Sequence, residues 1–150
     1  MSVGRYNLAR LADNSFEKHG DHESLLFEGK WFRSGDLHAR TEKLAGGLIE
    51  LGIEPGDRVV VMTSNTEDVG VAYVALWRAG AVITPAIFLL SAEDLRHILQ
   101  SSEARAIIAS PEWMPTVKAA MEGVGTVKWL ISLGEEEDDA IALSSLEQTD

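Results

Sequence analysis

The chain has 150 residues, 45% hydrophobic and 25% charged, which is enough for one domain with a real core and too apolar for a disordered or low-complexity chain. Its net charge of -11 excludes a surface that neutralises nucleic-acid phosphates or adheres to anionic lipid. The lack of cysteine excludes a disulfide frame, a thiolate nucleophile and a thiolate metal site.

Charge is unevenly spread. Seven acids and no base fall in residues 135–150, leaving 17 acids against 13 bases before them, so the body is nearly balanced and the end reads as a solvated acidic stretch. Met1 to Arg10 lacks an apolar signal segment. The longest nearly continuous apolar run, Ala79 to Leu90, is interrupted by Gly80, Thr84 and Pro85 and is too short to span a bilayer. These features lead to the expectation of a soluble cytoplasmic protein.

Residues 1–33 are expected to hold a helix and a hairpin. Asn7 to His19 reads as a helix with Leu8, Leu11, Ala12 and Phe16 on one side, and Ser24–Phe27 and Lys30–Arg33 flank a Glu28-Gly29 turn. Regular alternation of strand and helix then runs over residues 34–132. Ser34 is the expected N-cap of a helix carrying Asp36 in its first turn, with Leu37, Thr41, Leu44, Leu48 and Leu51 as its inner stripe and Gly52 as a left-handed stop. Pro55-Gly56-Asp57 makes a turn, and Val59 to Met62 a buried strand.

The next helix carries Val69, Tyr73, Leu76 and Trp77, followed by a strand from Ala81 to Thr84 that Pro85 stops. Ser91-Ala92-Glu93-Asp94 opens a helix as a capping box, with Leu95, Ile98 and Leu99 inward, and Ala106 to Ala109 is a strand. Ser110-Pro111-Glu112 starts a helix lined by Trp113, Val117, Ala120 and Met121, and Val127 to Ser132 is the last strand. Residues 133–150 are expected to be an acidic loop. Apolar strands joined by helices imply an α/β fold, a parallel sheet with helices on both faces.

Ligands of open parallel sheets bind beyond the carboxyl ends of the strands. Three such ends are visible. Thr63-Ser64-Asn65-Thr66 could cradle a phosphate, but Ser64 with Glu67 three residues on fits a capping box, the loop has no glycine, and Glu67 and Asp68 would repel an anion. Thr84 to Phe88 is apolar and could touch an acyl chain or an adenine, or pack against a neighbouring domain; Ala109-Ser110-Pro111 reads as a helix start.

His19, His22, His38 and His97 show no metal-ligand spacing, and His19 and His22 read as solvated. Neither a Gly-x-Ser-x-Gly elbow, a His-Glu-x-x-His motif nor a glycine-rich phosphate loop is present. Trp31, Trp77, Trp113 and Trp129 fit packing better than ligand stacking. The Glu135 to Asp139 run could attract a cation, though a loop end is its usual meaning.

Five phrases occur in an order that carries more. They are Asn7-Leu8 with its helix, Gly29 through Leu51 ("DLHARTEKLAGGLIEL" within it), Glu54-Pro55-Gly56-Asp57-Arg58-Val59, Trp77-Arg78-Ala79-Gly80-Ala81-Val82 leading to Pro85, and Ser91 through Ile108. Together they resemble the N-terminal region of the adenylate-forming superfamily, which includes acyl- and aryl-CoA synthetases, peptide-synthetase adenylation domains and firefly luciferase. Two departures stand out. Arg33 and Ser34 replace the usual Thr-Tyr before Gly35-Asp36-Leu37, and Ala86-Ile87-Phe88 follows Pro85 where the family often has an Asn or Asp near the pocket.

The resemblance implies an N-terminal scaffold of an ATP-dependent, AMP-forming acyl-CoA ligase of fatty-acid type, acting through an acyl-adenylate. ATP, Mg and CoA would be its cofactors and a small-molecule carboxylate its substrate. The phosphate loop, the magnesium-binding glutamate and the catalytic lysine of the family would lie after residue 150, so the segment alone is expected to be inactive and to hold no cofactor, catalytic residue or metal ligand. Phe88 and Lys118 are its candidates for the acyl or CoA side. A carrier-loading adenylation domain and a non-catalytic α/β interaction module remain as alternatives. A flavodoxin or a receiver domain fits less well, because their phosphate loop or paired acids cannot be placed. Exposed surface around Ala86 to Leu90 leads to the expectation of a self-associating dimer.

Overall fold

A computed structural model describes residues 7–136 and 139–148. In chain order they form α1 (Leu8–His19), β1 (Glu23–Phe27), β2 (Lys30–Arg33), α2 (Ser34–Leu51), β3 (Arg58–Met62), α3 (Glu67–Arg78), β4 (Val82–Pro85), α4 (Ala92–Ser101), β5 (Ala106–Ala109), a 3-10 turn (Pro111–Trp113), α5 (Met114–Met121), β6 (Trp129–Ser132), β7 (Ile141–Ala142) and α6 (Leu143–Leu146). β1 and β2 make an antiparallel hairpin, and the other five strands form a parallel sheet in the order β4-β3-β5-β6-β7.

Strand alternation sends successive side chains of β3 to opposite faces. Val59 and Val61 join Ile108 and Ile131 under Leu44 and Leu48 of α2 and Ala72 and Leu76 of α3. Val60 and Met62 join Ile107 and Leu130 under Leu95 and Leu99 of α4 and Met114 and Val117 of α5. A sheet covered on both faces has no polar alternation, which is why its strands read as unbroken apolar runs. Each large side chain buried here contributes roughly 1.5–3 kcal/mol.

The cap of α2 differs from the one expected. Ser34 does not cap the helix; its Oγ donates to the Gly20 carbonyl at 3.0 Å and accepts from the His22 N–H at 3.0 Å. The first-turn N–H of Gly35 is instead bonded to the Asp21 carboxylate at 2.9 Å, and Arg33 Nε donates to the same carboxylate at 2.7 Å. These bonds, that from Gly35 first, hold the Asp21 carboxyl below the usual aspartate range. At the far end Gly52 takes the left-handed conformation, φ 103°, as its position implies.

Two helix faces are rotated from the expected ones. On α1, Leu8 and Leu11 face solvent and Ala9 is buried. Polar anchors fix that rotation: Asn7 caps α1 by accepting from Ala9 N and donates to the Trp77 carbonyl at 2.7 Å, and Arg78 pairs with Asp13. On α3 the buried residues are Val71, Ala72, Ala75 and Leu76. The small alanines bring α3 close to the sheet, while Tyr73 and Trp77, stacked edge to face at 6.1 Å, lie at its margin. Trp31 on β2 is half exposed.

Residues 141–146, expected within an acidic loop, form β7 and α6. Ala140, Ala142, Leu143 and Leu146 are buried, and α6 packs on α2. Arg40 of α2 fastens this region, donating to both carboxylate oxygens of Glu147 (2.9 and 2.7 Å) and to Asp68 of α3 at 2.6 Å. Those carboxylates, Glu147 foremost, raise the Arg40 pKa above its ordinary value. At the opposite margin β4 is an edge strand with Val82 exposed, Ala86 N donating to Val61 O, and a proline as its last residue. Among the described residues no helix is long and apolar enough to cross a membrane.

Candidate functional site at the carboxyl rim of the sheet

Because the five strands are parallel, their carboxyl ends share one rim. The loops after β3, β4, β5 and β6 gather there, and the sequence-predicted ends Thr63–Thr66, Thr84–Phe88 and Ala109–Pro111 all lie on it. The first and third are tied together. The Ser64 N–H donates to Ser110 Oγ at 2.9 Å, and Ser110 is buried. Ser64 Oγ donates to the Glu112 carboxylate and accepts from Trp113 Nε1 at 3.3 Å. The hydroxyl of Ser64 is the main cause that lowers the Glu112 pKa below the usual carboxylate range.

The capping box expected at Ser64 and Glu67 is therefore absent. α3 begins at Glu67 behind Thr66 without a side-chain cap, and the buried Thr66 hydroxyl has no partner among the described residues. The second loop joins through its aromatic ring. Phe88 stacks on Trp113 with centroids 5.1 Å apart and planes 14° from parallel. Trp113, expected in the core, is only partly buried and serves as the floor of this stack. The loop after β6 closes against the same place: Gly134 N donates to Ser132 Oγ, and a Cβ at Gly134 would come within 2.4 Å of Pro111 Cγ.

The rim thus offers a flat aromatic platform beside a carboxylate, on rigid loops. Such a surface can stack a ring or line an apolar chain and can orient a donor. Its hydroxyl–carboxylate contact, Ser64 Oγ to Glu112, is also held by Trp113 Nε1. Among the described residues no group of three His, Asp or Glu side chains could hold a metal ion.

Lys118 stands on α5 with Nζ 2.7 Å from Asp139 Oδ1, so a cation of the chain itself meets the acidic run. Glu137 and Asp138 of that run lie outside the described residues. His22, read as solvated, takes part in the loop before the hairpin, with Nδ1 2.9 Å from the Gly20 carbonyl. His38 stacks on Phe16 at 4.4 Å. The Ser64–Glu112–Trp113 cluster was missed from sequence, although two serines placed just past neighbouring parallel strands, with Met62 opposite Ala109, were its only available sign.

Comparison with known proteins places this arrangement. The chain is 28% identical over 151 residues to crotonobetaine/carnitine–CoA ligase of Salmonella paratyphi A, covering 95% of this chain and 29% of that protein. It is 35% identical over 106 residues to triostin synthetase I of Streptomyces triostinicus, covering 71% of this chain and 20% of that one. The structure superimposes on a long-chain-fatty-acid–CoA ligase from Archaeoglobus fulgidus with a TM-score of 0.81 and 26% identity, over 98% of this chain and 30% of that enzyme. The chain therefore spans less than a third of the length of each. The sequence model of the AMP-binding enzymes matches residues 12–149, a stretch that takes in the hairpin, all five strands of the sheet and their shared rim, and the chain belongs to that family of adenylate-forming enzymes.

Proposed function

We propose that this chain is the N-terminal scaffold of an ATP-dependent, AMP-forming acyl-CoA ligase of fatty-acid type, working in the cytoplasm. In that reaction a carboxylate oxygen attacks the α-phosphorus of ATP, the bond to pyrophosphate breaks, and an acyl-adenylate forms. The thiolate of CoA then attacks the acyl carbon and AMP leaves. ATP, Mg and CoA belong to the whole enzyme; this segment shapes one wall. The Phe88–Trp113 stack supports the reading most directly, since it supplies an apolar aromatic surface at the ligand-binding end of the sheet. Phe88 and Lys118 are assigned to the acyl or CoA side of that wall.

The test has two arms. The purified 150-residue chain should show no pyrophosphate exchange dependent on ATP and a fatty acid above background. Grafted in place of the matching segment of the Archaeoglobus ligase, it should retain acyl-adenylate formation, with Phe88→Ala raising KM for the acid or CoA more than it lowers kcat. Exchange by the chain alone would overturn the scaffold role. Transfer to a carrier protein in preference to CoA would favour a carrier-loading adenylation domain, the reading that the 35% identity to triostin synthetase I supports.

We also propose that the isolated chain self-associates as a dimer. Ile87, Phe88 and Leu89 are exposed in succession beside the edge strand β4. Light scattering over a concentration series should show mass rising toward a dimer, reduced by Phe88→Ser. A monomer at every concentration would remove the idea.

A further inference from the structure

A second concave site lies away from the Phe88–Trp113 platform. It is a cleft of about 290 Å³ between α1, the β1–β2 hairpin and the first turns of α2 and α3. Both helices run opposite to the strands, so both begin at the carboxyl end of the sheet. The cleft follows them from Ser34 to Thr41 and from Glu67 to Val74, a depth of roughly 10 Å at 1.5 Å per residue.

Its two ends differ in chemistry. Ser34, His22 and Glu67 stand at the helix starts; Leu37, Val71 and Val74 lie further in, with Phe16 of α1 across from them. The polar atoms at the inner end are already engaged. Thr41 Oγ1 donates to the His38 carbonyl at 2.7 Å and accepts from Arg78 Nε at 3.0 Å. Arg78 Nη2 lies 3.3 Å from His38 Nδ1, and since arginine can only donate, that nitrogen is the acceptor. The inner end therefore offers apolar and aromatic wall, with Phe16 stacked on His38 to make one side flat. Glu67 lines the mouth and brings negative charge there, which disfavours anions.

We infer that this cleft binds a small neutral bicyclic aromatic molecule bearing an N–H or O–H donor, ring inward and donor toward Glu67. Size permits it: an enclosed apolar cavity of about 150 Å³ takes a benzene ring, and this open cleft has close to twice that volume. The proposal does not rest on the ligase reading, and the Glu67 carboxylate sets its ligand apart from a carboxylate substrate.

Indole is the probe. Titrated into the full 150-residue chain and followed by amide NMR, it should give saturable shifts at Leu37, Gly70, Val71 and Val74. Gly70 supplies the blocking variant. A Cβ there meets nothing within 4 Å, so Gly70→Leu can fill the cleft without displacing backbone. That variant should keep its helical circular dichroism and weaken indole by about tenfold or more, equivalent to about 1.4 kcal/mol. Indole-3-carboxylate should bind more weakly than indole to the parent chain, and Glu67→Gln should narrow that difference. Shifts that do not saturate, an unchanged affinity in Gly70→Leu, or a carboxylate that binds as tightly as indole would each overturn the assignment.

Discussion

Leu48→Ala lowers the unfolding free energy by about 2–5 kcal/mol, the range for deleting a buried leucine side chain. Leu48 is 0% exposed in the middle of the α2 stripe, and it belongs to the cluster that joins α2 and α3 to the sheet. Truncation removes the apolar contacts and leaves a cavity that a sheet of five hydrogen-bonded parallel strands cannot readily collapse. The adjacent Ile49 is 55% exposed, so Ile49→Ala should change stability by no more than about 0.5 kcal/mol. Urea midpoints of the two variants measure the contrast. An unchanged midpoint for Leu48→Ala would mean that this face of α2 carries no packing.

Gly47→Ala is expected to destabilise while Gly46→Ala stabilises, although the residues are neighbours on one helix. A Cβ at Gly46 meets nothing within 4 Å, so that substitution gains the helix propensity of alanine, about 1 kcal/mol. A Cβ at Gly47 would come within 2.1 Å of the Leu146 carbonyl oxygen and 2.8 Å of its carbon. Backbone must then move, either by strain costing about 1–3 kcal/mol or by release of α6. Release exposes Leu143 and Leu146 at roughly 1.5–3 kcal/mol each and undoes the Arg40–Glu147 pair. The strain is the smaller cost, so the expected result is a net loss of up to about 2 kcal/mol, after the propensity gain, with α6 still docked. Denaturation of both variants, with hydrogen exchange at residues 141–146, tests it. A Gly47→Ala chain as stable as the Gly46→Ala chain would contradict the close packing of α6 on α2.

Elements set by local chemistry were legible in the sequence. Ser91 caps α4 as expected, with Asp94 N donating to Ser91 Oγ at 3.1 Å, though the Asp94 carboxylate takes the Ser91 hydroxyl and not its N–H, and Gly52 stops α2. The parallel sheet followed from apolar strands separated by helices. What was not legible depends on partners far away in the chain. Asp21 replaces Ser34 as the acceptor for the start of α2, and Glu112 claims the Ser64 hydroxyl from a position 48 residues on. Local spacing favours the nearest cap, and a stronger charge-assisted partner overrode it in both places. β7 escaped notice because two residues cannot display a period, and because the acids of 135–139 gave its surroundings the look of a loop. At the candidate site the apolar run to Phe88 was visible, whereas the stacking of Phe88 on Trp113 needed the fold to bring the loops after β4 and β5 together.

The proline that closes β4 limits what the sheet can recruit. Val82 and Ala86 donate inward, to Asp57 and Val61 of the β3 side. Alternation along a strand turns the backbone groups of Thr84 the same way and those of Ile83 and residue 85 toward the open edge. Residue 85 has no N–H, so Ile83 is the sole donor that β4 can offer an incoming strand. A ladder needs several donors in succession to propagate from molecule to molecule. Copies meeting at this margin can touch through Ile87, Phe88 and Leu89, but they cannot template one another, and growth into cross-β fibres is denied its first rung.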